Sequence, residues 1–98
     1  MDYCYILYSP SFDKFYIGAT HESVEQRLHK HNNKSYGQTA TAYTDDWEVF
    51  LTIGCANYSH AINLERHIKS MKSKVYILNL KRHPEMLEKL ILKYTPRI

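Results

Sequence analysis

Apolar residues recur along most of the chain, and their period changes from element to element. Residues 3–8 (Tyr3-Cys4-Tyr5-Ile6-Leu7-Tyr8) are aromatic or aliphatic apart from one cysteine, which predicts a strand. Ser9-Pro10-Ser11 signals a turn, and Lys14 to Gly18 predicts a second short strand, so the two form a hairpin. With the four-residue loop Ser9 to Phe12, Tyr8 faces Asp13 and Tyr5 faces Tyr16. Directly opposed residues share a sheet face. The two tyrosines are therefore expected side by side.

Glu22 to Asn33 predicts a helix capped near Thr20 or Ser23, with the stripe Val24, Arg27, Leu28, His31. Lys34 to Asp46 is a polar loop of 13 residues, a length that points to function or mobility. From Trp47 to Ile53 the alternation of Trp47, Val49, Leu51 and Ile53 with Glu48, Phe50 and Thr52 predicts a third strand, ended by Gly54. Asn57 or Ser59 caps a second helix running to about Met71, striped by Ala61, Leu64, Ile68 and Met71. Residues 73–80 fit either a strand or a short helix. Pro84 suits the first position of a last helix carrying Met86, Leu87, Leu90, Ile91 and Tyr94, which Pro96 stops.

Ninety-eight residues are expected to form one domain, 1–98, with no repeat or linker. No apolar run approaches the ~18 residues of a membrane span. Met1 to Leu7 lacks the basic and long apolar regions of a signal peptide. Cys4 and Cys55 are too few for a disulfide framework, so the chain reads as a reduced, cytoplasmic protein. Thirteen Lys+Arg against ten Asp+Glu give a net charge of +3, weak evidence for a nucleic-acid partner. The distribution is sharper. Arg66, Lys69, Lys72, Lys74, Lys81 and Arg82 follow the single acid Glu65, a basic stripe able to dock on phosphates or simply to be a solvated face.

Arg27, His31 and Glu65 occupy stripe positions where the pattern calls for apolar residues. A carboxylate there must be solvated, paired or metal-bound. Arg27 and His31, four apart, reach one site. A carboxylate for a divalent cation, a cation for phosphate charge and proton-transfer groups are the parts of phosphodiester cleavage. The bland reading is an Arg27–Glu65 ion pair and a satisfied core histidine. Zinc is disfavoured, because His29 and His31 face different sides of a helix and His60 and His67 lie two turns apart. Cys4 reads as a packed strand residue.

Tyr3-Cys4-Tyr5 followed by Tyr16-Ile17-Gly18, then Arg27, His31 and Glu65, resembles the ordered motifs of the GIY-YIG nuclease superfamily, in particular its small stand-alone bacterial members, over roughly residues 3–80. The resemblance implies an α+β fold, an α/β sandwich with a three-stranded antiparallel sheet flanked by helices in the order β-β-α-β-α-α. It implies cleavage of DNA with one divalent ion, Mg²⁺ or Mn²⁺, held by Glu65. Arg27 would bind a non-bridging phosphate oxygen, Tyr5 would orient or deprotonate water, and His31 and Tyr16 would position water or relay the proton. Lys69, Lys72 and Lys74 would contact nucleic acid, DNA first with RNA open, and the chain would act as a monomer or weak homodimer without a membrane partner.

Tyr3 and Cys4 depart from the glycine and isoleucine of the family's name. Asn79 is the candidate for an asparagine some members carry. Ala40 to Thr44 stands where relatives often have a basic residue or histidine, implying a weaker phosphate grip there. Two other classes remain open at this point. A binding domain without catalysis would use the stripe and tyrosines equally well, although Glu65 would repel phosphate unless a cation intervened. An adaptor would show an exposed apolar patch, with Met86, Leu87, Leu90 and Ile91 pairing between chains.

Overall fold

The computed structural model describes residues 1–33 and 41–96. Three strands, β1 (Asp2–Ser9), β2 (Lys14–Thr20) and β3 (Glu48–Cys55), form an antiparallel sheet in the order β2-β1-β3. Helix α1 (Val24–Asn32) joins β2 towards β3, and α2 (Tyr58–Met71), α3 (Lys74–Arg82) and α4 (Pro84–Tyr94) follow. The fold is α+β, as expected. Residues 73–80 are helical, so a fourth helix is added to the predicted order. Ser73 accepts the Tyr76 N–H at 3.1 Å, and Ile77 and Leu80 fall inward at helical spacing.

Alternation along β1 builds two different layers. Cys4 and Ile6, with Ile17, Ala19 and Ile53, face α2, α3 and α4, where Ala61, Leu64, Ile68, Ile77, Leu80 and Leu90 complete the main core. Tyr5 and Leu7 face the other way, packed with Val24, Trp47, Tyr16 and Leu28 around α1. Met86, Leu87, Ile91 and Tyr94 pack against the main core, so these residues of α4 close the chain's own interior rather than forming an adaptor patch. Met71 is exposed, outside the stripe predicted for it. Among the described residues no helix is long and apolar enough to cross a membrane.

The hairpin register differs from the expected one by two residues. The loop is Pro10 to Asp13, Ser9 pairs with Lys14, Tyr5 with Gly18 and Leu7 with Tyr16. Asp13 takes a left-handed φ of 51°, which Asp tolerates, and so it closes the turn instead of entering the ladder. A shift of two preserves every face. Tyr5 and Tyr16 therefore share a side as diagonal neighbours, ring centroids 6.3 Å apart. Tyr5 lies over Gly18, where a Cβ would stand 2.6 Å from its phenol oxygen. The glycine is required by close approach.

β3 starts at Glu48 and runs through Gly54 to Cys55. Ile6 pairs with Leu51 but Leu7 with Val49, so Phe50 is the extra residue of a bulge. The bulge breaks the predicted alternation, and both Phe50 and Leu51 pack towards the main core. Asp46 anchors the approach to β3. It accepts from Ser9 Oγ and Thr44 Oγ1, each at 2.6 Å, and from the Ser11 N–H at 3.0 Å. Those donors hold its carboxyl well below the usual range.

Candidate active site

Helix α1 opens with a full capping box: Ser23 accepts the Gln26 N–H and the Gln26 side chain accepts the Ser23 N–H. This start at Ser23 directs Val24, Arg27, Leu28 and His31 to the sheet. Asn32 then clamps the chain entering β3, donating to the Trp47 carbonyl at 2.9 Å and accepting the Trp47 N–H at 2.8 Å.

Four of the predicted site residues meet on this face. The Tyr5 hydroxyl lies 3.0 Å from His31 Nε2, and Arg27 Nε–H donates to the same oxygen at 3.4 Å. The Tyr16 ring stands 4.8 Å from the His31 ring. Tyr5 is fully buried and His31 nearly so, whereas the Arg27 side chain keeps a quarter of its surface exposed. Burial first, and the Arg27 charge second, lower the His31 pKa to about 4, so the ring is neutral at physiological pH. One nitrogen then donates and the other accepts.

Arg27 also approaches Glu22, at 3.7 Å, and Glu22 pairs more closely with Lys30 at 2.7 Å. Lys30, helped by Arg27, holds the Glu22 carboxyl below its ordinary value. Arg27 thus pairs with Glu22, and the alternative Arg27–Glu65 ion pair is not the one formed. The guanidinium opens onto a cleft of about 270 Å³ lined also by Thr20, His21, Glu22 and Tyr58, where the end of β2 meets the start of α2.

Glu65 sits on α2, close enough to Cys4 for its charge to add to the burial that pushes that thiol's pKa up. Its carboxylate is one-sixth exposed and accepts from Lys69 Nζ at 3.1 Å. Among the described residues no three His, Cys, Asp or Glu side chains form a metal-binding group. The donor set still suits one hard cation. A single carboxylate can hold Mg²⁺ when water and phosphate fill the rest of its shell, and an exposed ammonium pairing is weak enough to be displaced.

The basic stripe is partly self-paired. Lys69 is on Glu65, Lys74 bonds Asp13 at 2.8 Å, and Lys81 lies over the Phe50 ring. Lys72, at the left-handed end of α2, has an exposed position. Asn79 is half-buried on α3. Two histidines outside the site are struts of the main core. His60 accepts the Ala56 N–H and donates to the Ile91 carbonyl, and His67 meets the Tyr94 hydroxyl at 2.9 Å.

Thr41 is the residue that sequence reasoning missed. It is 2 % exposed, its Oγ1 lies 2.8 Å from His31 Nδ1, and its carbonyl accepts the Trp47 Nε1–H at 3.1 Å. A threonine in a polar loop gives no pattern signal. Ala40 and the rest of 34–40, including the first part of the stretch expected to weaken phosphate grip, lie outside the described residues.

A small α+β domain with a phenol, a neutral imidazole and a guanidinium on one sheet face has the fold and the groups of a nuclease-type domain. The family comparison agrees: the GIY-YIG catalytic domain model matches residues 1–79, and the chain belongs to that family. No curated protein and no solved structure gave a match. Membership indicates nuclease-type hydrolase chemistry on nucleic acid.

Proposed function

We propose that the protein is a divalent-metal-dependent DNA endonuclease that nicks phosphodiester bonds with weak sequence preference, selecting backbone or structure and serving repair-type processing. The observation that carries this reading is the Tyr5 oxygen held between His31 and Arg27, whose guanidinium lines an open cleft.

In this reading Arg27 meets a non-bridging phosphate oxygen, and its charge counts for most as negative charge builds. A phenol with the ordinary pKa of ~10 is a poor base at neutral pH. Tyr5, however, has a neutral imidazole nitrogen within hydrogen-bond reach. As Tyr5 takes a proton from water, its own proton passes to His31 Nε2. The resulting imidazolium lies beside growing phosphate charge and is stabilised by it. Tyr16, whose ring stands 4.8 Å from the His31 ring, positions water or relays the proton. Glu65 would hold Mg²⁺ or Mn²⁺, which supplies Lewis-acid stabilisation of phosphate and leaving oxygen. Lys69, Lys72 and Lys74 take the flanking backbone.

Supercoiled plasmid incubated with Mg²⁺ or Mn²⁺ tests the reading. The expected outcome is nicking by the parent chain that EDTA and Glu65→Ala both abolish. Nicking that survives Glu65→Ala would remove Glu65 as the metal ligand. DNA binding without nicking, on plasmid and on branched and flap substrates alike, would leave a binding domain instead.

A further inference from the structure

We infer that Thr41 is a positioning residue whose buried hydroxyl accepts the His31 Nδ1–H, holding the ring in the tautomer that the Arg27 charge favours and presenting Nε2 to Tyr5 as a proton acceptor. This assignment rests on the proposed nuclease reading for its role and on geometry alone for the tautomer.

Both ring nitrogens are engaged, Nε2 with Tyr5 at 3.0 Å and Nδ1 with Thr41 at 2.8 Å. Two proton patterns satisfy a neutral ring between two hydroxyls. In one, Nδ1–H donates to Thr41 and Tyr5 O–H donates to Nε2. In the other, every hydrogen bond is reversed. Arg27 decides between them. Its guanidinium approaches from the Tyr5 side and donates to the Tyr5 oxygen. A cation there favours the ring orientation that points a lone pair towards it, which is Nε2 unprotonated. The Tyr5 oxygen accepts from Arg27, and its O–H lies within reach of Nε2 to donate there.

The chemical step then balances. The O–H bond of Tyr5 breaks as the Nε2–H bond of His31 forms, Tyr5 regains a proton from the attacking water as the water O–H bond breaks, and the Nδ1–H bond of His31, donated to Thr41, stays intact throughout. The second ring nitrogen commonly sets which nitrogen does the chemistry. Thr41 is itself fixed, since its carbonyl holds the Trp47 indole N–H and Trp47 is clamped by Asn32. The tautomer is thus tied to the anchoring of β3.

The test is ¹⁵N-imidazole NMR of the whole chain at neutral pH, with His31 assigned by the loss of its signals in His31→Gln. The parent should show the Nδ1–H signature. Thr41→Val, which keeps shape and removes the acceptor, should shift His31 towards Nε2–H and slow plasmid nicking about tenfold, a usual cost for losing an orienting partner. Thr41→Ser should restore both. A parent spectrum showing Nε2–H, or an unchanged tautomer in Thr41→Val, would overturn the assignment, and the parent spectrum decides even if Thr41→Val fails to fold. A parent with the Nδ1–H signature but no nicking on any DNA leaves the tautomer assignment standing and overturns the nuclease reading instead.

Discussion

The two faces of the sheet are built from alternate residues of one strand, yet they are different materials. Beneath α2, α3 and α4, Cys4 and Ile6 sit in a layer of aliphatic side chains. Beneath α1, Tyr5 and Leu7 share their layer with a buried histidine, a buried threonine and an arginine that reaches solvent. The first layer gains stability from area removed from water. The second gives up apolar contact to hold polar groups, whose burial is tolerable because each is hydrogen-bonded. A site at the edge of a core can keep a phenol and an imidazole at fixed distance with little water between them. A close-packed apolar layer behind the same strand supplies the rigidity this needs.

The comparison breaks most sharply under a pair of substitutions. Arg27→Ala should cut nicking by about 10²–10³-fold, with a smaller change in unfolding midpoint than a core truncation, because its side chain is part-exposed and its bonds to Glu22 and Tyr5 are long. Leu64→Ala, in the dry layer, should lose about 2–5 kcal/mol of stability while retaining the activity of its folded fraction. Urea unfolding beside plasmid nicking reads both. If the two variants exchanged phenotypes, the division between faces would be wrong.

Acid should attack the α1 face first. The folded His31 pKa, about 4, lies below the ordinary ~6.5, so the unfolded chain binds the proton more readily between these values. Its contribution is complete above pH ~6.5 and is lost as pH falls towards 4. Between pH 7 and 4.5 the parent should lose about 2–3 kcal/mol through this group. His67, whose pKa burial also lowers, adds to the total. The difference in pH dependence between the parent and His31→Gln isolates the His31 part, and equal slopes for the two would refute it.

A smaller effect sharpens the contrast at one atom. Gly18→Ala places a methyl 2.6 Å from the Tyr5 ring, so something must move. A loss of about 1–3 kcal/mol is expected, with a larger relative drop in nicking because the Tyr5 oxygen moves off His31. Full activity in Gly18→Ala would show that Tyr5 placement is not critical.

The smallest effect lies outside both layers. Lys74 and Asp13 form an exposed pair, so Lys74→Ala should change stability by less than about 1 kcal/mol. Its signature should be a shallower salt dependence of DNA affinity, by roughly one unit of log–log slope if one phosphate contact is lost. The triple change at Lys69, Lys72 and Lys74 should weaken binding outright. Parent-like affinity in that variant would remove the stripe from the interface.

By itself the sequence determined what short-range spacing can encode. A run of aromatic and aliphatic residues and a turn signal gave the hairpin, period two gave β3, period 3.6 gave α1, α2 and α4, and helix starts were marked by Pro84 and by two pairs of candidates, Thr20 or Ser23 and Asn57 or Ser59, of which Ser23 and Asn57 form the caps. It also placed Arg27 and His31 on one helix face and both tyrosines on one side of the hairpin, since a two-residue slip preserves faces. Tertiary structure decided the rest. The hairpin register depends on Asp13 accepting a left-handed φ, and the bulge at Phe50 depends on pairing with β1 far away in sequence. Residues 73–80 became helix because Ile77 and Leu80 could be buried at that spacing against α2 and α4. The Thr41–His31 contact spans a loop whose composition shows only polarity. Periodicity fixes which way a side chain points, whereas partners are chosen by the closing of turns and the stacking of layers, which no local spacing records.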